Sequence, residues 1–104
     1  MAIIRPHGGK SPRLHESVTL VGDVTVVGDL EIGERSSLWF GAVVRHPTVV
    51  GDEVTLGHRV TLHGCTVKDR CLVGIGAEVA FLRATAERYA GYAEQYRREG
   101  WPSR

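Results

Sequence analysis

At 104 residues the chain is long enough for a modest core and short enough that every core position counts. Thirteen basic residues against twelve acidic ones leave a formal charge of +1, which argues against nucleic acid and anionic membrane surfaces as partners. No apolar run reaches the length of a membrane span, Met1-Ala-Ile-Ile-Arg5 is too short for a secretory signal, and two cysteines make no disulfide framework. A soluble cytoplasmic protein is the expectation.

Residues 1–13 hold an apolar pair, Ile3-Ile4, suited to a short edge strand, followed by a loop rich in Pro, Gly and Ser. From Leu14 a repeat begins. Leu14, Leu20, Val26, Ile32, Leu38, Val44, Val50, Leu56 and Leu62 fall at every sixth residue without a miss. Only a quarter of the chain, 26 of 104 residues, is Leu, Ile or Val, so nine consecutive chance hits are excluded. Two positions before these residues lie Val18, Val24, Leu30, Ser36, Ala42, Thr48, Val54 and Val60, mostly small or β-branched. Turn formers such as Gly22-Asp23, Gly28-Asp29, Gly33-Glu34 and Gly51-Asp52 separate the units. After Leu62 the spacing drops once to five, and Val67, Val73 and Val79 then resume at six.

A helix cannot carry a period of six, because the positions drift around its 3.6-residue turn. Short strands can, since residues i and i−2 point to one side and a bend starts the next strand. Three bends close a triangle, so eighteen residues make one coil and residue i+18 stacks on residue i about 4.8 Å above. Leu14 to Val79 therefore predict an all-β solenoid, a triangular parallel β-helix of about four coils. A β-sandwich of short strands would need hairpin signals and longer alternation, which are lacking.

Residues 80–99 change character. Leu82, Ala86, Tyr89, Ala93 and Tyr96 form an apolar stripe at helical spacing, with Arg83, Glu87, Arg88, Glu94, Arg97 and Arg98 on the other faces. Gly100 and Pro102 end the pattern. The expected organisation is one domain, 1–104: an N-terminal edge segment (1–13), the β-helix (14–79) and a C-terminal α-helix (80–99) packed against the prism or across a subunit boundary.

The stretch Ser37-Leu-Trp-Phe-Gly-Ala-Val-Val-Arg45, followed by His46-Pro-Thr-Val-Val-Gly-Asp-Glu-Val-Thr-Leu-Gly-His-Arg-Val-Thr-Leu-His-Gly-Cys65, resembles the γ-class carbonic anhydrase family. The resemblance extends to Cys71-Leu-Val-Gly-Ile-Gly-Ala77 and the C-terminal segment. It implies a left-handed β-helix, the hand opposite to that of ordinary parallel crossovers. It also implies a homotrimer and a metal (zinc, iron or cobalt) held by three histidines at subunit interfaces, where carbon dioxide is reversibly hydrated to bicarbonate. The family's two later ligands map onto His58 and His63. Family members usually follow the arginine matched by Arg45 with Gly-Asp and a longer segment that ends in the first ligand. Here Arg45 runs straight into His46-Pro47, as in a member shortened by whole coils, a second loss lying near Val79-Ala80.

The family's first histidine sits one coil beneath His63, and Arg45 occupies that place, eighteen residues earlier. A guanidinium has no lone pair to offer a metal. The nearest substitute in register is His46, stacked beneath Gly64, with Pro47 restraining its backbone. His58 and His63 lie five residues apart, up to ~16 Å in extended chain, while a shared ion needs ligands at ~2.1 Å. A neighbouring chain's His58 must therefore come to His63. His46, His58 and His63 are the candidate metal ligands, and the family's assisting carboxylates fall mostly in the missing segment.

Other residues carry less. His7 and His15 are expected at the surface, and Cys65 and Cys71 as small inward-facing residues on successive faces. Trp39 and Phe40, at a bend, are expected on the outside as subunit contacts. No phosphate loop, nucleophile elbow or dinucleotide fingerprint occurs. Two classes of function follow: a metal-dependent carbonic anhydrase, or a catalytically inactive trimeric β-helix scaffold with a degraded metal site.

Overall fold

The computed structural model describes residues 1–80, with Ala80 by its backbone alone, and residues 98–100. Strand β1 (Ile3–Arg5) precedes four coils of three strands each. The first coil holds β2 (Arg13–Leu14), β3 (Thr19–Leu20) and β4 (Thr25–Val27), and the second β5 (Leu30–Ile32), β6 (Ser37–Leu38) and β7 (Val43–Arg45). The third holds β8 (Thr48–Val50), β9 (Thr55–Leu56) and β10 (Thr61–His63), and the fourth β11 (Thr66–Val67), β12 (Leu72–Val73) and β13 (Glu78–Ala80). Corresponding strands of successive coils pair in parallel, giving three sheets ordered β1-β4-β7-β10-β13, β2-β5-β8-β11 and β3-β6-β9-β12.

The six-residue repeat becomes three columns inside the prism. Leu20 stacks on Leu38, Leu56 and Val73; Leu14 on Ile32, Val50 and Val67; Ile4 on Val26, Val44, Leu62 and Val79. Ile4 stands twenty-two residues before Val26; from β2 to β10 the register is eighteen residues, and the single five-residue step after Leu62 makes it seventeen for the last coil. The positions two residues earlier, Val24, Leu30, Ala42, Val54 and Val60, are buried beside them. Full burial of a Val, Leu or Ile side chain stabilises by roughly 1.5–3 kcal/mol, so the middle coils carry most of the stability. Leu14 and Leu20 at one end and Val67 and Val73 at the other are only partly covered.

Corners close with satisfied polar groups. The buried Ser36 hydroxyl donates to Gly51 O at 2.8 Å and accepts from Val54 N at 3.0 Å, as a buried hydroxyl requires. Cys71 departs from the expectation of an inward residue: it is exposed, because it belongs to the last coil, whose outward Leu72 is 77% exposed. Cys65 packs partly against the core, and both cysteines are free thiols.

Most of the C-terminal helix expected from the apolar stripe, residues 81–97, lies outside the described residues. Arg98 is helical and Gly100 takes φ +85°, the left-handed conformation in which helices often terminate. These residues sit on the N-terminal segment: Arg5 donates to Glu99 O at 2.7 Å, and Gly8 N to Glu99 Oε2 at 3.0 Å.

Candidate functional site

His63 ends β10. Because Leu62 points inward, Thr61 and His63 point outward, and His63 is in register with Arg45 below and Ala80 above. Arg45 in turn stands on Val27 and Val27 on Arg5, so one column reads Arg5, Val27, Arg45, His63, with the Ala80 backbone in register above. The guanidinium therefore occupies the place one coil beneath His63, as the sequence spacing requires.

His46 follows β7 directly. Its N–H donates to Val27 O at 3.0 Å, and its bond to Pro47 is cis. The ring is half-buried rather than solvated. Its Nδ1–Cγ side lies against Gly28, where a Cβ would overlap the ring, and Gly28 takes φ +88°. Its face stacks on the His7 ring, with centroids 4.4 Å apart and planes 16° from parallel.

His7 corrects the surface expectation: it is 6% exposed. A tight turn through Gly8 and Gly9, both at positive φ, bridges His7 to Lys10 and folds the imidazole back onto His46. Glu99, from the far end of the chain, meets its Nδ1 at 2.6 Å. Partial burial raises the pKa of Glu99, but the hydrogen bonds from His7 and Gly8 and the charges of His7 and Arg5 set it below the ordinary value. The ionised carboxylate accepts, so His7 Nδ1 carries the proton. No local pattern announced this pairing of residues 92 positions apart. His15 is exposed as expected, with its Nδ1 at 2.7 Å from Ser17 Oγ.

The surroundings of both site imidazoles favour the neutral form. Burial first, then the charges of His7, Arg45 and His63, lower the pKa of His46 against the opposing bond to Val27. Burial and then Arg45 lower that of His63, against Glu78. Neutral imidazole is the form with a lone pair for a metal.

His58 stands elsewhere, in the exposed bend between β9 and β10. Its ring lies 6.2 Å from that of Trp39 and 5.5 Å from that of Phe40. Trp39 and Phe40 are 36% and 49% exposed, outward as expected. Trp39, His58 and Ile75 line a shallow, mostly apolar groove of about 280 Å³ with Thr55 and Gly57. His46 and His63 thus lie near enough for the charge of one to bear on the other, while His58 stands at a different corner. Among the described residues, no three His, Cys, Asp or Glu side chains gather as a metal would need. No described helix is long and apolar enough to cross a membrane.

No protein-family model matches the chain. It is 34% identical over 100 residues to a carbonic anhydrase of Geobacillus kaustophilus, covering 72% of this chain and 55% of that protein. It is 32% identical over 99 residues to gamma carbonic anhydrase 1, mitochondrial, of Arabidopsis thaliana, covering 65% of this chain and 36% of the relative. The chain thus spans between about a third and about a half of the length of these relatives. In both cases the matched stretch exceeds the part of this chain that it takes in, so segments of the relatives lack a counterpart here. Among solved structures, a putative acetyltransferase of Bacillus cereus superposes with a TM-score of 0.64 at 22% identity, covering 92% of each chain. At that identity the likeness speaks for the fold alone.

Proposed function

Because the chain belongs to the γ-carbonic-anhydrase-like family of left-handed, hexapeptide-repeat β-helices, we propose that it assembles as a homotrimer. His63 and His46 of one subunit there meet His58 of the next and hold a divalent metal for the reversible hydration of carbon dioxide. The observation that supports this reading is His63 on the outward face of β10 with His46 just past the end of the strand below it, and a third imidazole on an exposed aromatic corner. Exposed Trp39, Phe40 and Ile75 supply apolar area that association would cover.

The donors fit the group in chemistry: neutral imidazole suits zinc, iron or cobalt. When bound, such a metal supplies Lewis-acid activation of water for attack on carbon dioxide. Arg45 opposes the dication, yet beside His63 its guanidinium offers a charge partner for bicarbonate. A second reading rests on that same residue: with Arg45 in the column where the family keeps a histidine, the trimer is a scaffold without a metal. Light scattering, metal analysis and a carbon dioxide hydration assay on the purified protein separate the readings. One metal per subunit, a trimeric mass and turnover support the enzyme. A trimer that holds no metal after reconstitution supports the scaffold, and a stable monomer at micromolar concentration overturns both.

A further inference from the structure

The proposed ligand His46 lies outside the regular columns, so the repeat does not by itself aim its ring. A strand residue such as His63 inherits its direction from the pleat. His46 sits past the end of β7, and what fixes its imidazole is side-chain packing. Gly28 closes on its Nδ1–Cγ side, and His7 covers a ring face in near-parallel contact. His7 is itself immobilised, buried to 6% exposure and bonded through Nδ1 to Glu99 at 2.6 Å. Glu99 is anchored twice more, by Gly8 N at 3.0 Å and by Arg5 on its carbonyl at 2.7 Å.

We propose that His7, locked by Glu99, is a positioning residue that sets the orientation of the His46 imidazole for metal ligation. The inference rests on the three-histidine reading above and deepens it. It adds a residue from the N-terminal loop and one from the C-terminal end to a site otherwise built from the middle coils. Carboxylate to imidazole to ligand is the order of support that metal-binding histidines commonly receive, here passed through a ring stack instead of a direct bond to the ligand.

The probe is cobalt(II) alone, titrated into the full chain and followed by its visible absorption. His7→Ala is expected to weaken cobalt binding by about 10–100-fold. His7→Phe, which keeps an aromatic face but loses the Glu99 bond, should restore only part of the affinity, the remaining loss reporting the Glu99 lock. The double variant His7→Ala/His46→Ala should bind no more weakly than His46→Ala alone, because His7 acts through His46. Parent-like affinity in His7→Ala, or an equal loss when His7→Ala is added to His46→Ala, overturns the proposal. In the metal-free protein, nuclear Overhauser contacts between the His46 ring and Gly28 Hα should be present in the parent and lost in His7→Ala. Their persistence there also overturns it. Should His7→Ala fail to fold by circular dichroism, Glu99→Ala serves, with the same contacts expected to weaken and unchanged contacts counting against positioning. A parent that binds no cobalt ends the three-histidine reading, while the metal-free contacts still decide whether His7 orients His46.

Discussion

Gly28→Ala tests the packing on which the candidate site depends. Gly28 takes φ +88°, and a Cβ there would overlap the His46 side chain at Nδ1, Cγ and Cβ. Two costs add. A left-handed backbone conformation costs a non-glycine residue about 1–2 kcal/mol. Overpacking a filled space costs typically about 1–3 kcal/mol more, because the His46 ring must leave its contact with His7. The sum is about 2–5 kcal/mol. Gly76 provides the control: its φ is +73° and no described atom lies within 4 Å of where a methyl would stand, so Gly76→Ala should incur the backbone cost alone, about 1–2 kcal/mol. Urea unfolding by far-UV circular dichroism, at one fixed protein concentration, yields both differences from the midpoints if the slopes agree. Equal destabilisation by the two variants would refute the claim that His46 is packed against Gly28.

Leu38→Ala in the second coil removes three buried carbons, about 2.4 kcal/mol of transfer free energy, and adds a cavity term, for about 3–4 kcal/mol in all. Leu20→Ala in the partly covered end coil should cost about half as much, and the same urea assay would expose an inverted order. His46 and His63 have folded pKa values below the free imidazole value, so on acidification the unfolded chain gains protons there before the native one does. Their contribution is fully present above pH about 6.5 and is lost as pH falls through the folded values, so the urea midpoint of metal-free protein should drop between pH 7 and 5 and drop less in His63→Ala. Arg45→His places an imidazole one coil beneath His63 and removes a cation, so cobalt(II) should bind at least about tenfold more tightly, and unchanged affinity would detach this column from metal binding.

The interior of this protein is legible because inward residues obey one rule, a branched apolar residue every sixth position, and stacking follows from counting. Even the seventeen-residue register of the last coil is visible as the five-residue step from Leu62 to Val67. Cys71 shows where counting stops. It holds the same place in its unit as Val54, which is fully buried, yet Cys71 is exposed at the end coil, and period alone does not say where coverage ends. His7 was illegible for another reason. Its burial depends on a glycine turn and on Glu99, partners that no periodicity links, so a histidine in a polar loop reads as a surface residue. Arg45, in contrast, lies where the spacing puts it, directly beneath His63.

The inside and the outside of such a solenoid respond differently to the loss of coils. Inward positions respond only to spacing. Val44 to Val50 is six residues across Arg45-His46, and both are buried in their columns, so the spacing of the repeat is kept there. Outward chemistry depends on the identity of the residue one coil below. There a guanidinium stands beneath His63, and His46 lies one position further along the chain, about 3.3 Å in extended backbone. That offset takes the ring out of the column and out of the control of the pleat. What aims it instead is Gly28, by lacking a Cβ, and His7, by stacking. On the proposed three-histidine reading, metal binding therefore hinges on contacts that lie outside the repeat, while the fold depends on little besides it.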